Sequence, residues 1–476
     1  GIRYIYSASM LLIAILSLVT DWYAPLCILH LILLMIMLVD KMGKGIVLRE
    51  STAVLYTFTC LIAPLLGYKY YAIDNGLSRL WVKYMPVPEN GYFGYAVPAI
   101  TFFCLALTWP IGVRESLDEG TLLGKTISRI REKVDYKNGA IIMGFGLAVS
   151  LVISYLPESL QFFVTLFFFG SFAGLLYLFY YPKLKYKKII IFSFVVFIFI
   201  SALRSGMFTI VAYMGATIFS FFLLGLRVSL LKKIVLVAVA ICFLIVLQNV
   251  KLSYRKLTWL GSYQDSKVEL FANLFIEKLE KGDALIEKDA FFPVYARTNQ
   301  GFNVALVMRR IPAVQPYDGG DKLFTVFLSS FVPRFLWPDK PMAGGKFNMA
   351  YYAGYKLEGW STDIGPLGEA YGSFGVNGGI VYMFFLGFFI RWAYKRVFIL
   401  SKKYPLLICW LPVLFYQVTY SAETDTLQIL NSLTKSAFFL WLLFKILPHW
   451  FGIIKKKAVK FSVAKKTLHQ PDLLTE

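Results

Sequence analysis

Apolar residues in this chain come in long blocks, and charged residues collect in the seams between them. A helix needs about 20 apolar residues to cross a bilayer. Runs near or above that length fall at roughly 4–20, 23–39, 51–67, 92–113, 139–156, 160–181, 189–203, 206–226, 234–250, 364–390, 404–421 and 426–447. The pattern predicts an all-α polytopic membrane protein with about 12 transmembrane helices.

The seams alternate in charge. Connectors 40–50, 114–138, 182–188, 227–233 and 391–403 are rich in Lys and Arg, and the short connectors between them carry almost none. Cytoplasmic loops hold the excess of Lys and Arg, so the basic connectors are expected inside. Both termini fall on the same side (N-in/C-in), the tail carrying Lys455, Lys456, Lys457, Lys465 and Lys466.

Two stretches depart from this rhythm. The run 189–226 has basic flanks on both sides and must return as a hairpin, with Arg204 of SALRSG at its outer tip. Residues 251–363 contain no spanning run and join an outward-ending helix to an inward-going one, which makes them one large periplasmic loop. Inside it, KVELFANLFIEKLEKGDALIEK has helical apolar spacing and is expected to lie as an amphipathic helix. DKLFTVFLSSFVPRFLWPDKP is too short to cross and is stopped by prolines, so it is expected to dip into the membrane and return. The predicted units are 1–250 (N-terminal membrane helices), 251–363 (loop), 364–447 (C-terminal membrane helices) and 448–476 (basic cytoplasmic tail). No inverted repeat of the transporter kind is visible.

Composition narrows the class. Of 476 residues, 58% are hydrophobic, 17% aromatic and only 16% charged, outside the balance of a soluble domain. The net charge of +21 is spread between apolar runs instead of gathered on one face. A bilayer accounts for it, and nucleic acid is not an expected partner. The five cysteines lie in apolar runs with no CxxC spacing, which points away from a disulfide framework or a zinc site. The first run lacks an AxA-type cleavage site and is read as a retained helix.

Candidate chemistry gathers outside. GPLGEAYGSFGVNGG, residues 365–379, places Glu369 among glycines at the outer mouth of a membrane helix. A tight turn with a solvated acid would look similar, but small residues also let a substrate approach a carboxylate closely. Asp363, Trp360 and Tyr371 lie beside it, and Asp363 also reads as an N-terminal cap. Arg204, Arg297, Arg309, Arg310 and Arg334 are expected on the same side, where guanidinium forks could bind a lipid-linked pyrophosphate. Snorkelling to headgroups, a solvated loop face or a turn would equally explain these arginines one by one. Glu423 and Asp425 in SAETDT form a weaker outward pair. His30 lies in an apolar run and His449 and His469 at the inner end, so no external His base and no metal cluster is expected. There is no Walker loop; no cofactor is predicted, and the energy must come from the substrate.

FVPRFLWPDKPMAGGKF followed by GWSTDIGPLGEAYGSFGVNGGIVYMFFLGFFI resembles the C-terminal part of the Wzy-type oligosaccharide repeat-unit polymerases, which often show PR-x-x-WPDKP and GEAY-x-x-FG-x-x-G elements. The match covers about residues 331–390, and the span count and large loop are similar to the family throughout. Arg204/Gly215, Arg309/Gly320 and Arg334/Gly345 also fit the Arg-x10-Gly spacing described for some members. The resemblance implies a GT-C-like fold and an inner-membrane glycosyltransferase acting at the periplasmic face. Its donor and acceptor would be undecaprenyl-pyrophosphate-linked glycans, with a chain-length regulator as partner. The arginines would bind the leaving pyrophosphate without metal, and Glu369 or Asp363 would take the acceptor proton. Two rivals stay open: an O-antigen ligase, associated with an external histidine, and a lipid-linked glycan flippase, which should line a path across the membrane with polar residues.

Overall fold

The computed structural model describes residues 2–111, 121–152, 155–156, 158–205, 215–259, 266–282, 287–332, 336–341, 344–358 and 361–453. Among these the chain is all-helical; the sole extended pairing is an isolated bridge between Met42 and Gly45. Among the described residues seven helices are long and apolar enough to cross a membrane: Tyr23–Lys41, Leu48–Lys69, Glu89–Thr108, Gln161–Tyr180, Leu230–Lys251, Gly365–Ser401 and Thr426–Ile446. The protein is a multi-pass membrane protein.

The remaining apolar runs take other forms. Those at 4–20 and 139–156 become the shorter helices Ile2–Val19 and Tyr136–Val152. The stretch 189–226 gives Lys187–Ser205 and Gly215–Leu223; the expected hairpin tip SALRSG is the end of the first of these helices as far as Ser205, and residues 206–214 lie outside the described residues. The run 404–421 is not one helix, contrary to the hydropathy pattern. It folds as a 3-10 turn Pro405–Trp410, a single α-turn Leu411–Leu414 and a second 3-10 turn Ser421–Glu423. Pro405 and Pro412 lack the N–H a continuous helix needs. Irregular backbone at this depth is tolerated where protein surrounds it, and Leu406, Cys409, Trp410 and Leu411 are all buried. Trp410 donates its indole N–H to the Tyr177 hydroxyl at 2.9 Å, which in turn donates to the Trp450 carbonyl at 2.8 Å.

At the centre, Gly365–Ser401 packs along Glu89–Thr108. Across this contact the Tyr95 hydroxyl donates to the Leu367 carbonyl at 2.7 Å, the Tyr95 ring meets Tyr371 and the Phe102 ring meets Phe384 edge-on. Close approach requires glycine: a Cβ at Gly379 would meet the Tyr95 ring, and one at Gly387 would collide with the Phe103 carbonyl. Gly375, with φ 70° and ψ −160°, interrupts the long helix. A left-handed φ suits glycine, and the neighbouring Ser373 carbonyl accepts the Gly319 N–H at 3.0 Å. In Leu48–Lys69 a π-turn at Phe58–Ile62 loosens the ladder, and the Tyr92 hydroxyl donates to the Cys60 carbonyl at 2.7 Å.

Hydrogen bonds sort the connectors to two ends. At one end, Arg49 donates to the carbonyls of Leu107 and Trp109, and Arg391 to those of Trp109 and Pro110, covering the C-terminus of Glu89–Thr108. Lys41 and Glu50 form a buried ion pair beside them at 2.9 Å. Arg129 reaches the Lys402 carbonyl and Asn138 that of His449. At the other end, Tyr71 donates to the Lys288 carbonyl, Tyr295 to that of Lys83, and Arg297 pairs with Glu423.

Two further helices shape that second end. Lys267–Glu280, capped by Ser266, buries Leu270 and Phe271 against Val246, Leu247, Val250 and Tyr254 of the long helix Leu230–Trp259. Asp321–Phe331 buries Leu323 and Val326 and exposes Phe324 and Phe331. Lys340, from the WPDKP element, donates to the Ser329 and Val332 carbonyls at 2.9 and 2.7 Å, a cationic C-terminal cap.

Replacing Gly387 by Leu drives a side chain into the Phe103 backbone. Overpacking of this kind costs about 1–3 kcal/mol, so Gly387→Leu should lower the melting temperature of the detergent-purified protein, whereas Gly91→Leu, whose Cβ meets nothing within 4 Å, should not.

Candidate functional site

The acids of the second end are built by helix starts. Asp425 is the N-cap of Thr426–Ile446, its Oδ1 accepting the Gln428 N–H at 2.5 Å. Asp, Asn, Ser and Thr serve there because a short side-chain acceptor satisfies an orphan N–H. Its Oδ2 accepts the Gly344 N–H at 2.7 Å, tying in the loop. Glu369, in the first turns of Gly365–Ser401, accepts both the Thr426 N–H (2.8 Å) and the Thr426 hydroxyl (2.5 Å) on Oε2. Its Oε1 accepts Asn348 Nδ2 at 3.3 Å. The same Nδ2 donates to Asp363 Oδ1 at 3.2 Å, and that oxygen also accepts the Ile364 N–H at 2.8 Å. The Asp363 carbonyl accepts from Gln300 and Asn303 at 2.7 and 2.8 Å. Asp363, Glu369 and Asp425 are thereby gathered into one cluster, exposed only 4%, 2% and 1%.

One oxygen of the cluster has no donor. Asp363 Oδ2 is buried without a partner group among the described residues, and the Asp425 carboxyl lies close enough to hydrogen-bond the Asp363 carboxyl when one of the two is protonated. Burial, then the charges of Asp425 and Glu369, push the Asp363 carboxyl well above the usual carboxylate range. Burial raises Asp425 as well, against the lowering effect of its bonds from Gly344 and Gln428. None of the three acids ion-pairs with a lysine or arginine among the described residues. Two carboxyl groups in such a place share a proton, because two facing charges cannot both be sustained there.

The other expected residues sort into near, apart and undescribed. Arg297 binds Glu423 Oε2 at 2.7 Å, so Glu423 is paired off and does not join the cluster. Arg309 donates to the Tyr355 hydroxyl at 2.6 Å, and Arg310 donates to Gln315 at 3.4 Å beside Gly354. Both sit at the far end of Gln300–Arg310, the helix whose first turn holds the Asp363 carbonyl. Tyr371 lies between Tyr95 and Tyr317, at ring distances of 5.1 and 5.8 Å. Arg334, Trp360 and the Arg204 side chain lie outside the described residues.

The glycines around Glu369 do not open a mouth. Gly365, at φ 72°, abuts the Ala422 carbonyl, Gly372 the Tyr352 ring and Gly375 the Tyr317 ring, so the room they leave is filled by protein. Glu369 is accordingly enclosed, with its oxygens committed to Thr426 and Asn348. Asn348, Gln300, Asn303 and Thr426 carried no signal of their own in the sequence; Asp425 did, as an Asp placed before the apolar run at 426–447 in the manner of an N-cap.

The fold and site define a multi-pass helical membrane protein with a buried cluster of three carboxyl groups at one end of its bundle. Within that class the chain belongs to the family described as "Domain of unknown function (DUF8712)", which it matches over residues 129–456. That span contains the whole cluster and Arg297, Arg309 and Arg310. No curated protein and no solved structure matches the chain.

A carboxyl whose pKa is raised by folding contributes stability below its unfolded pKa, about 3.9 for Asp, and that contribution is lost as pH rises through the folded value. The melting temperature should therefore fall from mildly acidic to alkaline pH. Asp363→Asn keeps the acceptor Oδ1 and turns an amide N–H toward Asp425, so it should flatten this dependence and melt higher than the parent at alkaline pH. A variant that melts lower at every pH would contradict the shared proton. Glu369→Gln behaves oppositely, since an amide has one acceptor oxygen for donors on both sides. It should lose about 1–3 kcal/mol, read as a lower melting temperature across the pH range.

Proposed function

We propose that this protein is an inner-membrane glycosyltransferase of the Wzy-like kind, which polymerises lipid-linked oligosaccharide repeat units on the periplasmic face. The observation that carries the reading is Asp363 Oδ2: a buried oxygen with no donor among the described residues, on a carboxyl beside that of Asp425. Around it, the segment following WPDKP (through Asn348) and the GEAY segment (through Glu369) meet on one side, and the arginine-bearing helix Gln300–Arg310 on the other. The two motif segments that carry the resemblance are neighbours in space. Arg129, Arg391, Lys41 and Arg49 lie at the opposite end, which the positive-inside rule makes cytoplasmic and which leaves the cluster outside. About twelve spans, N-in/C-in topology and a GT-C-like arrangement belong to this reading.

The chemistry follows from the groups. The acceptor hydroxyl oxygen attacks the donor's anomeric carbon, the bond from that carbon to pyrophosphate breaks with its electron pair leaving on the phosphate, and the hydroxyl proton passes to the Asp363–Asp425 pair. A monoprotonated pair still has room for that proton. Glu369 anchors the helix start and Asp363 takes the role of base. Arg309 and Arg310 lie about 9 Å and about 10.5 Å along the helix axis from Asn303, at 1.5 Å per residue, and supply the charge that stabilises the leaving pyrophosphate. Substrate reaches Asp363 when the segment carrying Asn348 moves aside.

Purified protein given an undecaprenyl-pyrophosphate-linked repeat unit should make a ladder of products. Asp363→Asn, well folded by the stability test above, should slow it about 10²–10⁴-fold, the usual worth of a general base, and Arg309→Lys should weaken donor use. A single added unit would indicate a ligase, no covalent product a transporter, and parental rates in Asp363→Asn would remove the base role.

A further inference from the structure

Beside the cluster, the connector between Leu48–Lys69 and Glu89–Thr108 encloses an open cavity of about 330 Å³ lined by Gly67, Tyr68, Ala72, Tyr84, Met85 and Val87 together with flanking prolines. This is within the size range of small-molecule sites. The Tyr68 hydroxyl holds the Val87 carbonyl at 2.8 Å and Met85 Sδ meets Asn299, so the wall is fixed to the base of the arginine-bearing helix.

Lys83 stands next to this lining, and its placement is built. The short helix Gly76–Leu80 ends with the Lys83 N–H on the Ser78 carbonyl and the Val82 N–H on the Arg79 carbonyl, the paired bonds of a Schellman turn. The left-handed position of that turn normally takes glycine; here it is Val82, at φ 50°, a conformation unfavourable for a β-branched residue. Tyr295 pins the Lys83 carbonyl at 2.6 Å, and Lys83 Nζ lies 4.5 Å from the Phe302 ring centroid. No carboxylate among the described residues pairs with Lys83. The nearby Glu89 is taken by Lys69 at 3.1 Å and Glu423 by Arg297. Burial, then the charge of Arg297, holds the Lys83 ammonium below its usual pKa.

Two cations near enough to repel each other, with no carboxylate paired to Lys83 among the described residues, call for an anion; the apolar cavity next to Lys83 in the connector calls for hydrocarbon. We propose that Lys83, Arg297 and the cavity bounded by Tyr68, Tyr84 and Met85 form a binding site for a phosphate-headed single-chain lipid. The head lies between the two cations and the first part of the chain enters the cavity. A lipid source is favoured over free phosphate by the exposed apolar residues of the same connector, Ile73, Leu80, Trp81 and Val82, where Trp81 is 65% exposed, as expected of an interfacial anchor. The proposal shares only its ligand class with the polymerase reading and is tested by binding, so failure of transfer and failure of this site are separate results.

The test measures binding of farnesyl phosphate, farnesol and inorganic phosphate to the full-length protein in nanodiscs. Farnesyl phosphate should bind more tightly than either of the others. Loss of a charged hydrogen bond is worth 1.5–3 kcal/mol, so Lys83→Gln should weaken farnesyl phosphate about tenfold or more and leave farnesol unchanged. Lys83→Arg should stay near parental, and Ala72→Trp, which fills the cavity, should weaken farnesyl phosphate and farnesol alike. Should Lys83→Gln fail to fold, Ala72→Trp and the ligand comparison decide. Inorganic phosphate binding as tightly as farnesyl phosphate, or unchanged binding in Lys83→Gln or Ala72→Trp, overturns the proposal.

Discussion

The bond from Thr426 to Glu369 fixes the second end of this molecule. One carboxylate oxygen takes both the N–H and the hydroxyl of the residue that opens Thr426–Ile446, which docks that helix start onto the first turns of Gly365–Ser401. The positive end of a helix dipole and its orphan N–H groups favour negative charge. Two acids, Glu369 and Asp425, already use that advantage. Asp363 arrives as a third, in a place closed to water and without a paired cation among the described residues, and a proton shared with Asp425 is what lets it stay.

The surrounding architecture is arranged around this condition. Gly344, Asn348, Gln300 and Asn303 are donors delivered from the large loop, and each ends on a cluster carboxyl or on the Asp363 carbonyl. A Cβ at Gly345 would strike the Thr362 carbonyl, so the two strands of the loop touch backbone to backbone. The loop is thus held to the membrane helices by polar contacts to acids as well as by apolar packing, Val304, Leu306, Ile311 and Met349 sharing one core with Leu367 and Ala370, while the helix pair beneath is held by apolar packing through Gly379 and Gly387. Polar docking to titratable groups responds to pH and to ligands; close-packed glycine contacts do not. The contacts that respond to pH therefore lie at the end of the bundle that carries the acids.

How much of this the sequence carried depends on the range of the interaction. Helical class and membrane insertion were legible because they rest on local hydropathy, and Asp363 and Glu369 were recognisable as acids out of place in an apolar chain. The run 404–421 misled because hydropathy reports how apolar a segment is, not whether lipid or protein surrounds it; enclosed by Tyr177, Trp450 and their neighbours, it has no need to be a helix. The glycines near Glu369 misled similarly: small size signals close approach, but Tyr352, Tyr317 and Tyr95 are what approach. Glu423 looked as good as Asp425, and only the position of Arg297, more than a hundred residues away in the chain, separates them. Asn348 and Gln300 are ordinary residues until the fold points their amides at Asp363.

The shared proton is most directly observed by infrared spectroscopy of the purified protein at neutral pH, comparing parent with Asp363→Asn. The account predicts a protonated-carboxyl C=O band in the parent that disappears in Asp363→Asn and shifts in deuterated water. A parent spectrum in which this substitution removes only a carboxylate band would show Asp363 ionised, and the proton-sharing cluster would not exist.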